Sequence, residues 1–368
     1  MKNRDYSLDM IKGIACILML IAHSQMIPVS KILFISEQIS GFAPVLFFAV
    51  AGVTATFQST KKKIHHIILF YCFLGLLGIS YNHIWQPQMN ILQRIDCNIL
   101  QIIAIGVITI SIIEYFWKPK KISYLLLTII TFAIHYLFTE VIKVPNFLLT
   151  HFFFVGNAAG KTFPVFPWIS LFFAGIFAYY IKNYWNLVFS IAIVTIFLCI
   201  LYFYPENIIL VDEKWQISTV YFLRAYGILF LTFYTWRKYT KYLYPQNFIV
   251  WLGQNSLLFL YVHFISVKII FPSLPINNAY LIIIGCFATS IFMMQGVKYL
   301  NQFISHYFQN IYVWIGILII ILATPILLNN LTVIQFLELT MGIIFASNYQ
   351  VLSQVIQEYG IKTIKHKN

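Results

Sequence analysis

Asp9, Lys12 and His23 are the first side chains along the sequence whose types and spacing can do chemistry. Asp9 and Lys12 stand three residues apart, so on a helix they share a face and can pair. The bland alternative is an ion pair at a helix end, near lipid headgroups. His23 follows about three helical turns after Lys12. An imidazole there can exchange protons near neutral pH, or it can be a hydrogen-bonded packing residue. Further on come His83 with Trp85, Arg94 with Asp96, and the group His151, Asn157 and Lys161. Arg224 can pair with a phosphate, a carboxylate or a helix carbonyl. His263 with Lys268 completes the set. Lys61, Lys62, Lys63, His65 and His66 form a basic cluster that can hold an anionic cofactor, or serve only as topogenic charge beside anionic lipid.

The elements that must position these residues follow from composition. The chain has 368 residues, of which 60% are hydrophobic and 10% charged, whereas a water-soluble globule carries about a quarter charged residues. This is the composition of a polytopic membrane protein. A span needs about 20 apolar residues, so the length accommodates roughly ten to twelve helices in a single domain, 1–368. Apolar runs fall near 7–27, 41–59, 64–81, 97–116, 122–141, 163–182, 186–204, 217–236, 247–270, 279–297, 310–328 and 333–352. Barrel-type alternation is absent from these runs, so an all-α bundle is expected. Pro164 and Pro167 open the sixth run and Glu338 interrupts the last, which marks those two as candidates for re-entrant or interfacial segments.

The formal charge of +13 reports topology before it reports partners. With the N-terminus inside, sixteen Lys and Arg fall in inner loops and tail, against five in outer loops. That asymmetry predicts both termini on the cytoplasmic side and makes nucleic acid a poor explanation of the basicity. Asp9 and Lys12 break the apolar region a signal peptide would need, so the first run is read as a retained helix. The five cysteines lie in or beside apolar runs and support no disulfide framework. Metal-type Cys-x-x-Cys, P-loop and dinucleotide glycine patterns do not occur.

The run from Arg4 through Ser7, Asp9, Lys12, Gly13 and Ala15 to Met19 and His23-Ser24 resembles the first-helix signature of the transmembrane acyltransferase superfamily. That superfamily includes the acyltransferase 3 proteins and relatives of heparan-alpha-glucosaminide N-acetyltransferase. Four further segments are similar in the same order. They are Pro44 to Gly52 with Phe47-Phe48, Ile99-Leu100-Gln101 to Ala104, Phe166-Pro167-Trp168 to Gly175, and Leu252-Gly253 through Asn255-Ser256 to Tyr261 and His263. Lys61-Lys62-Lys63 stands where acyltransferase 3 proteins show Arg-x-x-Arg, a departure that favours the heparan-type branch.

The resemblance implies transfer of an acyl group, normally acetyl, from cytoplasmic acetyl-CoA to a glycan hydroxyl or amine across the membrane, without a metal. Carried onto this chain, it makes His23 the general base or transient acyl carrier. His83 is the rival, because the first-helix position is not histidine in some heparan-type members. Asp9 orients Lys12, and Lys12 with Lys61, Lys62, Lys63 and Arg224 holds the donor phosphates. Arg94, Asn255, Ser256 and His263 are assigned to the acceptor and the tetrahedral oxyanion. An Ile-, Asn- and Lys-rich composition points to a bacterial inner membrane and to envelope glycans. The competing class is a transporter or flippase of a glycan or lipid-linked substrate, which would release no free CoA. An oligomer is compatible with the many small-residue helix contacts.

Overall fold

The computed structural model describes residues 4–24, 40–85, 97–143, 150–155, 162–203, 218–244, 246–276 and 278–365. Every α-helix among them overlaps one of the twelve apolar runs. In chain order they are α1 (Tyr6–Ser24), α2 (Ala43–Ser59), α3 (Ile64–Trp85), α4 (Ile99–Phe116), α5 (Lys121–Tyr136), α6 (Val165–Tyr180) and α7 (Asn183–Phe203). There follow α8 (Thr219–Lys238), α9 (Phe248–Gln254), α10 (Ser256–Ile265), α11 (Ala279–Ile304), α12 (Ile311–Leu327) and α13 (Leu331–Lys365). No strand occurs among the described residues. The ninth run is two helices, because the chain bends at Asn255 between α9 and α10.

Eight helical stretches among the described residues are long and apolar enough to cross a membrane, α5 counting as far as Thr139 and α10 as far as Ser273. The helices α2, α6 and α12 are apolar but shorter. Local sequence fixes several starts. Asn98 accepts hydrogen bonds from the Leu100 and Gln101 backbone N–H groups while the Gln101 side chain accepts from the Asn98 N–H, a full capping box for α4. Asn247, Asn278 and Asn310 cap α9, α11 and α12 through their side-chain oxygens, and Ser218 caps α8.

Burial separates the centre of the bundle from its rim. The apolar window of α1 is 61% buried and that of α7 only 11%, so α1 is central and α7 presents its side chains outward. Around α1 pack α2, α9 and α10. The helix α6 lies along α2 and α5, and α13 lies along α3 and α12. The glycines of two motifs meet where α2 crosses α6. A Cβ on Gly52 would sit 2.3 Å from the Phe172 carbonyl oxygen, and one on Gly175 would sit 2.4 Å from that of Ala49. Between them Phe48 stacks on Phe172, and Trp168 is fully buried against Phe48, Phe163 and Phe222. The proline-led sixth run is therefore a packed core helix. The run interrupted by Glu338 belongs to a helix of 35 residues.

Candidate active site

At the start of α1, Asp9 is buried and takes three donors. Arg4 Nε donates to Oδ2 at 2.6 Å and Nη2 to Oδ1 at 3.1 Å. Lys12 Nζ stands 3.0 Å from Oδ1, the pair that three-residue spacing predicts. Gln254 of α9 reaches Oδ2 at 3.5 Å. A buried carboxylate is costly unless paired and hydrogen-bonded, and two cations supply that here. Arg4 was legible in the sequence only as an inner positive charge and part of the first-helix run. Its bidentate grip on Asp9 depends on the chain before α1 folding back.

At the other end of α1, His23 Nδ1 is 2.8 Å from His263 Nε2 on α10. His263 is fully buried, and its Nδ1 lies 2.9 Å from the Phe259 carbonyl one turn earlier. A carbonyl only accepts, so Nδ1 of His263 carries the proton and Nε2 is the acceptor of a neutral ring. The shared hydrogen therefore belongs to His23 Nδ1, and the lone pair of a neutral His23 falls on Nε2. The two imidazoles are nearly parallel, with centroids 5.1 Å apart. Trp85, the last residue of α3, packs on His23 at 4.6 Å between centroids, and the Lys268 ammonium stands 5.5 Å over the Trp85 ring.

His83 forms a second buried pair. Its Nδ1 is 3.0 Å from Glu338 Oε1 on α13, and both side chains are excluded from solvent. His83 Nε2 is buried with no hydrogen-bond partner among the described residues. Glu338 entered the sequence reading only as an interruption of the last run. The available signal was its position, since a carboxylate inside a span is a functional candidate by default.

The other expected residues are spread over the bundle. Lys62 Nζ donates to Ser353 Oγ at 2.6 Å and borders a cleft of about 350 Å³, while Lys61 and Lys63 are exposed. Arg224 lies over the rings of Phe42 and Phe197, at 5.1 and 5.8 Å. Phe42 precedes α2 and Lys61 follows it, so the helix separates them by about 26 Å. Asn255 donates to the Trp251 carbonyl at the bend. Ser256 opens α10, about 10 Å along the helix from His263, so Asn255 and Ser256 are not brought to His23. Arg94 lies outside the described residues, as do Asp96, Asn157 and Lys161. No group of three or more His, Cys, Asp or Glu side chains able to hold a metal occurs among the described residues.

Comparison with known families agrees with the resemblance of the first helix. The family described as "Heparan-alpha-glucosaminide N-acetyltransferase, catalytic" matches residues 4–190, just over half of the chain. With a helical bundle of membrane-crossing length, this defines a membrane acetyltransferase. The chain belongs to the heparan-alpha-glucosaminide N-acetyltransferase family. No match is found among curated proteins. The matched stretch contains Asp9, Lys12, His23, Lys62 and His83; the partners of the two histidines, His263 and Glu338, come from beyond it.

Proposed function

We propose that the protein moves an acetyl group from cytoplasmic acetyl-CoA to a hydroxyl or amine of a cell-envelope glycan, with His23 as general base. One observation carries the reading: the hydrogen bond from His23 to His263, which leaves Nε2 of His23 as the basic atom. In the forward step His23 Nε2 takes the proton of the acceptor O–H or N–H as that atom attacks the thioester carbonyl. Positive charge on the His23 ring is then shared through Nδ1–H with His263 Nε2. When the carbon–sulfur bond breaks, the His23 imidazolium gives its proton to the departing thiolate. One proton thus passes from acceptor to thiol, and His23 is restored. Trp85 and His263 pack against the His23 ring and fix its orientation.

Support for the donor lies at the opposite end of α3. Lys62 borders a polar cleft there, with Lys61 and Lys63 beside it, and these cations fit the phosphates of CoA. Lys12, held by Asp9, adds a further cation at the start of α1. The positive-inside asymmetry of the sequence supports a cytoplasmic cleft end and an outward His23 end. A bacterial inner membrane and an envelope glycan agree with the Ile-, Asn- and Lys-rich composition.

The test is thiol release from acetyl-CoA by purified protein in lipid nanodiscs, with amine and hydroxyl sugars as acceptors. Wild type should release free CoA in an acceptor-dependent manner. The His23→Ala variant, with an unchanged melting temperature, should lose about 10²–10⁴-fold in kcat. A folded His23→Ala protein working at the wild-type rate removes His23 from the chemistry.

A further inference from the structure

Trp85 closes α3, and two aromatic contacts set its place. Tyr81 and Trp85, four apart on one face of α3, meet Tyr261 and Phe264, three apart on α10, edge to face with centroids 5.6 and 4.9 Å apart. That register leaves the indole packed on His23 at 4.6 Å and 6.3 Å from His263. A tryptophan at the end of a membrane helix is ordinary, and its N–H then meets interfacial water. Here Trp85 Nε1 is buried with no hydrogen-bond partner among the described residues. The Tyr81 hydroxyl stands close enough to interact with Trp85, but outside hydrogen-bond geometry to Nε1. An indole N–H only donates, and one buried without an acceptor points to a ligand or ordered water that completes it.

Acyl transfer needs a donor at this place. As the acceptor atom bonds to the thioester carbon, an electron pair of the C=O moves onto oxygen, and a fixed hydrogen-bond donor must meet that charge. Asn255 and Ser256, to which the resemblance gave this task, stay at the bend away from His23. Of the two rings packed on His23, His263 has its N–H on the Phe259 carbonyl, so only Trp85 has one left to donate.

Lys268 adds charge behind that donor. It follows His263 by five residues, an interval that a regular helix would turn to another face. The wider π-helical turn Ser266–Ile270 brings it back, so its ammonium stands 5.5 Å over the same Trp85 ring that His263 meets. Ser266 pins the turn to α11, 3.0 Å from Ser290 Oγ and accepting from Thr289 at 3.0 Å. A cation over an indole face draws on its π electrons and makes the N–H a stronger donor.

We propose that Trp85 Nε1–H holds the thioester carbonyl oxygen and stabilises the tetrahedral oxyanion, with Lys268 as the cation behind it. The assignment rests on the acyl-transfer reading above and adds a catalytic residue to it. The Trp85 hydrogen stays on nitrogen throughout. When the carbon–sulfur bond breaks, the electron pair returns from oxygen to the C=O, and the thiolate takes its proton from His23.

The experiment measures thiol release by the full chain in nanodiscs for wild type, Trp85→Phe, and protein with 3-benzothienylalanine in place of Trp85. The benzothienyl ring keeps the indole shape with sulfur where the N–H was, so it decides the matter even if Trp85→Phe melts early. It should lose about 10²–10³-fold in kcat, with KM for acetyl-CoA and melting temperature kept. Tyr81→Phe should keep kcat. A benzothienyl protein working at the wild-type kcat, or one changed in KM alone, shows that the N–H does not hold the oxyanion, while acyl transfer by His23 stands. A Tyr81→Phe protein losing as much kcat as the benzothienyl protein also overturns the assignment, because the N–H would then serve Tyr81. Wild type that releases no thiol with any acceptor removes the acyl-transfer reading itself, and the Trp85 role goes with it.

Discussion

Gly253 of α9 lies so close to Asp9 of α1 that a Cβ on the glycine would stand 1.8 Å from the Asp9 carbonyl oxygen. The contact is reciprocal, because a Cβ on Gly13 would stand 2.0 Å from the Ile249 carbonyl oxygen. The two helices touch backbone to backbone at this level. Ten residues further along each lie His23 and His263, the hydrogen-bonded pair. Along α1 that interval is about 15 Å, and the partner segment covers its ten residues across the bend at Asn255, so both histidines are reached from the register the glycines set.

A methyl group at either glycine must therefore push the helices apart, since backbone has no rotamer by which to yield. Gly253→Ala should lower stability by about 1–3 kcal/mol, the usual range for overpacking. It should also lengthen the His23–His263 contact, and activity should fall beyond what unfolding explains. Thermal melting and kcat measured on the same preparation separate the two effects. A Gly253→Ala protein with full activity and wild-type melting would show that the contact does not set the register.

His263 acts on His23 through one acceptor atom. Replacing it by Phe keeps a ring against Phe259 and Trp85 but removes the acceptor for His23 Nδ1–H. His263→Phe should lower kcat by about tenfold or more, the cost of losing one charge-assisted hydrogen bond in the transition state, with KM for the acceptor little changed. His263→Gln can still accept at its side-chain oxygen and should retain more activity than the Phe variant. Steady-state thiol release at saturating donor gives the ordering, and the reverse order would overturn the role assigned to His263.

The features legible in the sequence are those that a membrane imposes. Apolar run length located every described α-helix within a run, because lipid forces each span to satisfy its own backbone. The Asp9–Lys12 pair follows from helical spacing alone. Partners contributed by distant segments were illegible: Glu338 is 255 positions from His83, and Gln350, Gln354 and Gln357 meet Lys62 only when α13 lies along α3. The bend at Asn255 also escaped the hydropathy pattern, because both halves of the ninth run are apolar. It sits between Ser256, which the sequence grouped with His263, and the α9 face that Gly253 holds on α1.

The buried pair His83–Glu338 tests whether the second histidine is structural. Removing one partner leaves an unsatisfied polar group in an apolar surrounding, so Glu338→Leu should cost about 1–3 kcal/mol. A double variant, His83→Leu with Glu338→Leu, removes both groups and should recover much of that loss. If the pair only ties α13 to α3, the double variant keeps acetyl transfer as long as His23 is present. Loss of transfer from a double variant that melts as wild type does would instead place His83 in the chemistry. The comparison needs only melting curves and single-point activity.

Asp9 offers the clearest contrast between two cations on one carboxylate. The Arg4 side chain is 52% exposed and that of Lys12 is 23% exposed, so water screens the first pair more than the second. Arg4→Gln should cost well under 1 kcal/mol, because Lys12 still neutralises Asp9. Asp9→Asn is expected to be worse than either cation variant, since it leaves two positive side chains converging on a site without an anion. Added salt should restore part of the stability lost in Asp9→Asn by screening that repulsion, and it should do little for Arg4→Gln. If Lys12 also serves the donor, Lys12→Gln raises KM for acetyl-CoA while Arg4→Gln does not. Melting temperatures between low and high salt, with donor KM for the three variants, decide both points; equal behaviour of Arg4→Gln and Lys12→Gln would show that depth in the bundle does not distinguish the two cations.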